Sequence, residues 1–281
     1  MSSQPPKGRL ISQFETRAIT EHGKGWSDLW DTGNSSLWDR GRPSPALIDL
    51  VEEFHELFNP FLAAPVANRP HPRKKALVPV RPLPLVVNAP SLPPTHPPQG
   101  CGRGYDVIAL ALHGFDAYGL EISATGVAEA TAYAAGEMTS PQSYNFGKDD
   151  PSPSRVPGAV QFLQGDFFAN DWTPSNSGRS LTFDLVYDYT FLCALHPSQR
   201  SLWAERMARL LPSGGLLVCL EFPMYKDPAL PGPPWGVKGA HWALLAGEDG
   251  QGKFTRKVYV QPARTYAVGQ GTDMISVYER K

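Results

Sequence analysis

From residue 75 to residue 222 the chain alternates short apolar runs with helix-length connections, and this alternation restricts its fold more than any other feature. Residues 76–79 (ALVP), 117–120 (AYGL), 160–164 (VQFLQ), 183–187 (FDLVY) and 216–222 (LLVCLEF) have the length and apolar character of buried strands. Residues 105–113 and about 123–138 have helical spacing. So does a stretch opened by Pro197, which carries Trp203, Met207, Leu210 and Leu211 on one side and is stopped by Pro212-Ser213-Gly214-Gly215. Strands joined by helices need crossover connections, which predicts a mostly parallel sheet with helices on both faces. Residues 258–260 and 274–278, around a Gly-rich turn, add an antiparallel hairpin and bring the sheet to seven strands.

Upstream, Ser44 and Pro45 supply an N-cap and a first helical residue. Leu47, Leu50, Val51, Phe54, Leu57 and Phe58 then mark an amphipathic helix ending near Asn59-Pro60. Residues 1–43 show little periodicity, but Trp26, Trp30 and Trp38 are three of the seven tryptophans in the chain, which predicts an arm pinned by aromatic anchors. Residues 69–75 (RPHPRKK) form a basic approach to the first strand. The whole is expected to be one domain over residues 1–281, and a monomer.

The 26 basic and 27 acidic residues leave a net charge of −1, so no global field gathers nucleic acid or anionic lipid. Small molecules are the expected partners. The chain has no apolar run of about 18 residues to cross a membrane. Its first twenty residues lack an apolar stretch with a cleavage site, which makes the cytoplasm the expected location. Cys101, Cys193 and Cys219 are odd in number and widely spaced, and fit reduced thiols better than disulfides or a zinc site, so no metal is expected.

In a doubly wound sheet the ligand lies at the carboxyl ends of the strands, where the first strand turns into the first helix. That turn contains Gly100-Cys101-Gly102-Arg103-Gly104, whose glycines allow close backbone approach to a ligand. Glu121, 21 residues after Gly100, ends the second strand, where its carboxylate can accept hydrogen bonds from both hydroxyls of a ribose. Asp166 and Phe167 follow the third strand and offer a carboxylate and an aromatic edge to an adenine, although Asp166 also suits a helix N-cap. A dinucleotide dehydrogenase would need glycine at position 105, where this chain has Tyr.

The GxGxG turn with these acids instead resembles the class I S-adenosylmethionine-dependent methyltransferases, whose cofactor has ribose and adenine but no phosphate. More specifically, Trp26 and Trp30, together with WDRGRPSPAL (38–47), GCGRGYD (100–106), GLEIS (119–123), GDFF (165–168), FDLVYDYTFLCALHP (183–197), LLPSGG (210–215) and GPPW (232–235), resemble the thiopurine S-methyltransferase family. Within it, the plant and fungal thiol and halide methyltransferase branch is the nearest in pattern. The resemblance covers nearly the whole chain. It implies a Rossmann-like seven-stranded fold and S-adenosyl-L-methionine as cofactor, with contacts from Trp26, Trp30, Trp38, Gly100, Gly102, Glu121, Asp166, Phe167 and Tyr189. It implies methylation of small thiols or dithiols, including those of the gliotoxin type. Halide or hydrosulfide acceptors, and an inactive cofactor binder, are the alternatives.

Methyl transfer from a sulfonium is an in-line displacement that asks for alignment and a water-poor pocket. Candidates for the acceptor side are Tyr187, Asp188 and Tyr189 at the fourth strand, and Trp235 in the loop after the fifth. Asp188 and His241 are the candidate proton acceptors, although each better suits a structural hydrogen bond. Cys101 beside the glycines is expected to be a small buried hydrophobe and not a nucleophile.

Residues 80–99 (VRPLPLVVNAPSLPPTHPPQ), seven of them proline, separate the first strand from the glycine turn. Deleting them restores an uninterrupted strand-to-glycine junction. The segment begins with Val, whose codons start GT, and ends with Gln, one of whose codons is CAG, so a translated intron would have these limits. An exposed excursion without regular structure is the expectation.

Overall fold

A computed structural model describes residues 8–34, 37, 39–54, 56–58, 73–79, 103–147, 156–170, 172 and 181–281. Seven strands form one sheet: β1 (Lys75–Pro79), β2 (Asp116–Glu121), β3 (Val160–Gln164), β4 (Leu185–Tyr189), β5 (Leu216–Glu221), β6 (Phe254–Val260) and β7 (Met274–Arg280). Their order is β3-β2-β1-β4-β5-β7-β6. The first five are parallel, and β7 runs antiparallel between β5 and β6. The order reverses at β1, which pairs with β2 on one side and β4 on the other. A crevice at the carboxyl ends of these three strands follows from that reversal.

The helices are α1 (Arg9–Phe14), α2 (His22–Asp31), α3 (Pro45–Glu53), α4 (Tyr105–Leu112), α5 (Ala124–Glu137), α6 (Arg200–Leu210) and α7 (Ala240–Leu245). Side chains alternate across the strands as pleating requires. Ala76, Leu185, Tyr187, Tyr189, Leu216, Val218 and Leu220 join α3 and α4 residues such as Leu50, Val51, Val107 and Leu110 in one buried layer. Leu77, Val186, Leu217 and Cys219 join Trp203 and Met207 of α6 in the other. Both faces are therefore covered, as expected of parallel strands that are apolar along their whole length.

Several expectations needed adjustment. The fourth strand runs two residues later than the apolar pattern indicated, over Leu185–Tyr189: Phe183 is wholly buried before the strand begins, and ladder pairing continues through Asp188 and Tyr189. The first amphipathic helix has its Ser44 cap, with the hydroxyl accepting from the Leu47 amide; it breaks after Glu53, at Phe54, and residues 56–58 are helical again. The arm is not irregular. It contains α1 and α2, and α2 buries His22, Gly23, Gly25, Leu29 and Trp30, a helical spacing that its two glycines disguise. Gly25 is required by packing, because a Cβ there would stand 2.7 Å from the Phe14 ring. The short helix α7 had not been anticipated. Residues 80–99 and most of the basic stretch 69–75 lie outside the described residues, while Leu77 and Val78 upstream keep their places in the sheet.

Two other glycines set how closely the layers approach at the site. Gly104 precedes α4 with φ of +77°, and a Cβ there would lie 2.4 Å from the Phe162 ring; at Gly119 in β2 the same ring would be 2.5 Å away. Phe162 of β3 thus fills the space that both leave. Gly104→Ala combines left-handed strain with overpacking and is expected to cost about 2–4 kcal/mol, read as a lower melting temperature. Gly136→Ala, in α5 with nothing near its missing Cβ, should instead raise stability by about 0.5–1 kcal/mol. Equal effects from the two would show that Phe162 does not constrain Gly104.

Candidate active site

Glu121 ends β2 at the mouth of the crevice and is 2% exposed. Its Oε1 accepts from the Ser123 amide at 2.9 Å, whereas its Oε2 is buried with no hydrogen-bond partner among the described residues. Burial pushes its pKa up to about 8, against the pull of the Ser123 and Ile122 amides. Two neighbours hold this carboxyl in place. Ser123 caps α5 through its hydroxyl, and Gly126 lies so close that a Cβ would meet Glu121 Cγ at 2.8 Å and Trp30 Cε2 at 3.3 Å. Trp30 is therefore packed beside the carboxyl and only 4% exposed, so it anchors the arm as well as walling the site. Thr125 Oγ1 donates to Asp31 Oδ1 at 2.8 Å and fixes the end of α2 to the start of α5. Trp26, one turn earlier, is half-buried with its ring 4.8 Å from that of Phe14.

Trp38, Gly100, Cys101 and Gly102 lie outside the described residues. The end of the glycine run is visible at Arg103, which pairs with Glu129 of α5 at 3.4 Å and whose charge reaches Asp39 of the arm. Asp106, in the first turn of α4, accepts from the Ser44 amide at 2.7 Å, and desolvation pushes its pKa to about 7. At the end of β3, Asp166 Oδ1 accepts from the Phe168 amide at 2.8 Å in a turn, so the carboxylate shapes the loop without capping a helix. The Phe167 ring is wholly buried against Phe191 and Phe168, at 4.8 and 5.3 Å. This corrects the expected ring contact: only the backbone at Phe167 remains available to a ligand.

The two-residue shift of β4 moves the acceptor side as well. Tyr187 is fully buried in the α3–α4 layer, and Asp188 faces the opposite one, where its oxygens accept from the Leu192 amide at 3.2 Å and Trp203 Nε1 at 2.8 Å. Both are buried, because interior residues of a strand covered on both faces point into the layers. Burial raises Asp188 to about pKa 6, but its hydrogen bonds make it structural. His241 is also buried, 3.7 Å from Glu221, and burial with the Arg200 charge lowers its pKa to about 3, so it stays neutral. A base this weak, buried in the core, suits a structural role.

Tyr189 is the last residue of β4 and is buried at the carboxyl end of the strand. It stacks on Tyr266 with ring centres 5.3 Å apart and meets Phe222 edge-on at 5.9 Å. Arg40 Nε donates to its hydroxyl at 3.4 Å. Thr190 follows with φ of +61°, a strained conformation for a β-branched residue that turns the chain sharply away from the strand end. Trp235 lies in a second aromatic group with His22 of α2 and His196, at 6.3 and 5.6 Å, and its amide donates to the Cys193 carbonyl. Arg40, Tyr266, His22, Gly126 and Asp106 were not singled out from sequence. Arg40 stood inside a noted motif, but Tyr266, 44 residues beyond Phe222, had no local signal.

Residues 95–279 match the sequence profile of the thiopurine S-methyltransferase family. Probable thiol methyltransferase 2 of Arabidopsis thaliana is 33% identical over 222 residues, covering 79% of this chain and 71% of that protein. Thiocyanate methyltransferase 1 of Brassica oleracea is 29% identical over 227 residues, covering 81% of this chain and 72% of that one. Among solved structures, magnesium protoporphyrin IX methyltransferase of Synechocystis PCC 6803, determined with S-adenosylhomocysteine bound, superposes with a TM-score of 0.50 at 15% identity, over 84% of this chain and 83% of that one. That likeness concerns the fold, which is the class I methyltransferase fold. The profile spans well over half the chain, and the thiol methyltransferase aligns over more than two thirds of both sequences. On both grounds the chain belongs to the thiopurine S-methyltransferase family.

Proposed function

We propose that this chain is an S-adenosylmethionine-dependent S-methyltransferase of small-molecule thiols or dithiols, gliotoxin-type dithiols included. The observation that carries the reading is the open, buried Oε2 of Glu121 beside Trp30 at the end of β2. A buried carboxyl oxygen without a hydrogen-bond partner is costly, and a ribose hydroxyl is the partner that suits this place in this fold. When bound, S-adenosylmethionine supplies a methyl carbon on a sulfonium: the acceptor sulfur's lone pair makes the new S–C bond while the old C–S pair returns to the cofactor sulfur.

The residues of this chain supply position and dryness. Glu121 would hold the ribose, Trp30 would cover it, Asp166 and the Phe167 backbone would meet the adenine, and Tyr189 with Trp235 would exclude water on the acceptor side. A thiol of pKa about 8.5 is already partly thiolate near neutrality, so deprotonation is left to the acceptor's own acidity. Cys193 and Cys219 are buried free thiols, which suits a reducing compartment such as the cytoplasm. A methyl-transfer assay over small thiols, dithiols, hydrosulfide, thiocyanate and iodide tests the reading. Thioether product from at least one sulfur acceptor is expected, and failure with all of them while S-adenosylhomocysteine still binds would leave a binder only.

We also propose that residues 80–99 are foreign to the fold. Support comes from β1, which keeps its place between β2 and β4 immediately before the segment. Joining Pro79 to Gly100 should raise the melting temperature and tighten cofactor binding, because the glycines would again follow directly from the strand that aims them. An insoluble deletion variant, or one with weaker binding, would make the segment integral.

Glu121 gives the sharpest quantitative test. Glu121→Ala should weaken S-adenosylhomocysteine binding by about 1.5–3 kcal/mol with the fold intact. Ribose hydroxyls favour the charged carboxylate, so binding should release the proton that burial otherwise retains. Affinity should therefore rise with pH up to about 8 and level off above it, and the slope should vanish in Glu121→Gln. Titration calorimetry in buffers of different ionisation enthalpy would count the proton. A count of zero removes Glu121 from the ribose.

A further inference from the structure

We propose that Arg103 is a positioning residue, a clasp that holds the end of the glycine run, α5 and the strap between α2 and α3 in one arrangement around the cofactor; this rests on the methyltransferase reading above. Its backbone is fixed first. Gly104 follows with φ of +77° and lies against Phe162, so Arg103 leaves the start of α4 in a set direction. The side chain then crosses to α5, where a terminal nitrogen stands 3.4 Å from Glu129 Oε2, with both side chains 18% exposed. The same charge acts on Asp39 of the strap, more strongly than that of the adjacent Arg40. Asp39 is itself shaped by the strap, since its Oδ1 accepts from the Gly41 amide at 2.7 Å. One guanidinium thus joins three segments that are far apart in the chain.

The two acids need that cation. Burial pushes both carboxyls up, the Arg103 charge pulls both down, and Asp39 adds to the rise at Glu129. The strap and α5 therefore carry carboxyls near enough to repel, and without Arg103 they would push the strap from the helix. Arg103 Nε, Asp39 Oδ2 and Glu129 Oε2 are buried with no hydrogen-bond partner among the described residues, so charge and not a set of directed hydrogen bonds gathers the group. A cluster serving stability alone would satisfy these atoms, since each one left open is costly. Such a cost is expected where the placement of neighbours matters more than their stability. The Ser123 cap of α5 gives the placement its use, because the Ser123 amide holds Glu121 at 2.9 Å. A shift of α5 against Arg103 would move that carboxyl out of line with the end of the glycine run.

A double-mutant cycle on S-adenosylhomocysteine binding tests the clasp without turnover. Asp39→Asn in the wild-type background is expected to weaken binding about threefold, and Arg103→Met about tenfold, with Arg103→Lys in between. In the Arg103→Met background the sign should reverse: Asp39→Asn should now strengthen binding, because it removes the repulsion from Glu129. Arg40 is present in every arm, so its charge cancels. Hydrogen exchange over residues 39–44 of the ligand-free protein reads the strap itself, whose Gly41 and Ser44 amides donate to Asp39 and Asp106. Exchange should quicken in Asp39→Asn and in Arg103→Met, and slow again in the double variant. Asp39→Asn keeps its side-chain shape, so its exchange remains readable should Arg103→Met fail to fold. Unchanged strap exchange in Asp39→Asn overturns the clasp. So does an Asp39→Asn effect of the same sign and size in both backgrounds, since Arg103 would then brace the fold or meet the cofactor without acting through the strap. Wild-type protein that methylates thiols while the cycle shows no reversal sinks this inference alone. A reversal in a protein that binds S-adenosylhomocysteine but methylates no acceptor sinks the proposed function instead.

Discussion

Parallel pairing of β1 with β2 and β4 is the constraint on which the rest of the molecule depends. Parallel neighbours must be joined by crossovers, so every helix of this half starts from the same edge of the sheet, and the ends of β1, β2 and β4 open towards one crevice. The same pairing buries both faces. Charge placed inside a strand, such as Asp188, must be spent on the layer it faces, whereas Glu121 and Tyr189 as terminal residues remain available to a ligand. Function is thus confined to the strand ends by the physics that builds the core.

The arm completes what the sheet begins. Phe14 against Gly25, Asp31 on Thr125 and Trp30 beside Gly126 help hold α1 and α2 over the end of β2 by packing and a hydroxyl bond. The strap beyond α2 then delivers Arg40 to the end of β4 and ties its neighbour Arg42 to Tyr266. On the proposed reading, cofactor side and acceptor side would be walled by adjoining parts of one N-terminal segment. For a displacement reaction, in which alignment and exclusion of water carry most of the work, that arrangement fixes both reactants with the same element.

Much of this was legible in the residues. Apolar runs bounded by Gly and Pro gave away all seven strands, and Ser44-Pro45 marked its helix start, because these signals act over a few residues. Glu121 was legible from its spacing to the glycines. The arm helices were not, since Gly23 and Gly25 lower helix propensity and only contact with Phe14 explains Gly25. Tyr187 and Asp188 were misplaced because aromatic and acidic residues after an apolar run look like a strand's end, while the ladder continues to Tyr189. Tyr266 and Arg40 meet only through the tertiary fold.

Gly126 also decides how three elements share one place. A Cβ there would press on the Glu121 side chain at 2.8 Å and on Trp30 at 3.3 Å. One absent methyl group thus sets the spacing of strand end, arm and α5 together, so a change at this single position is felt by all three.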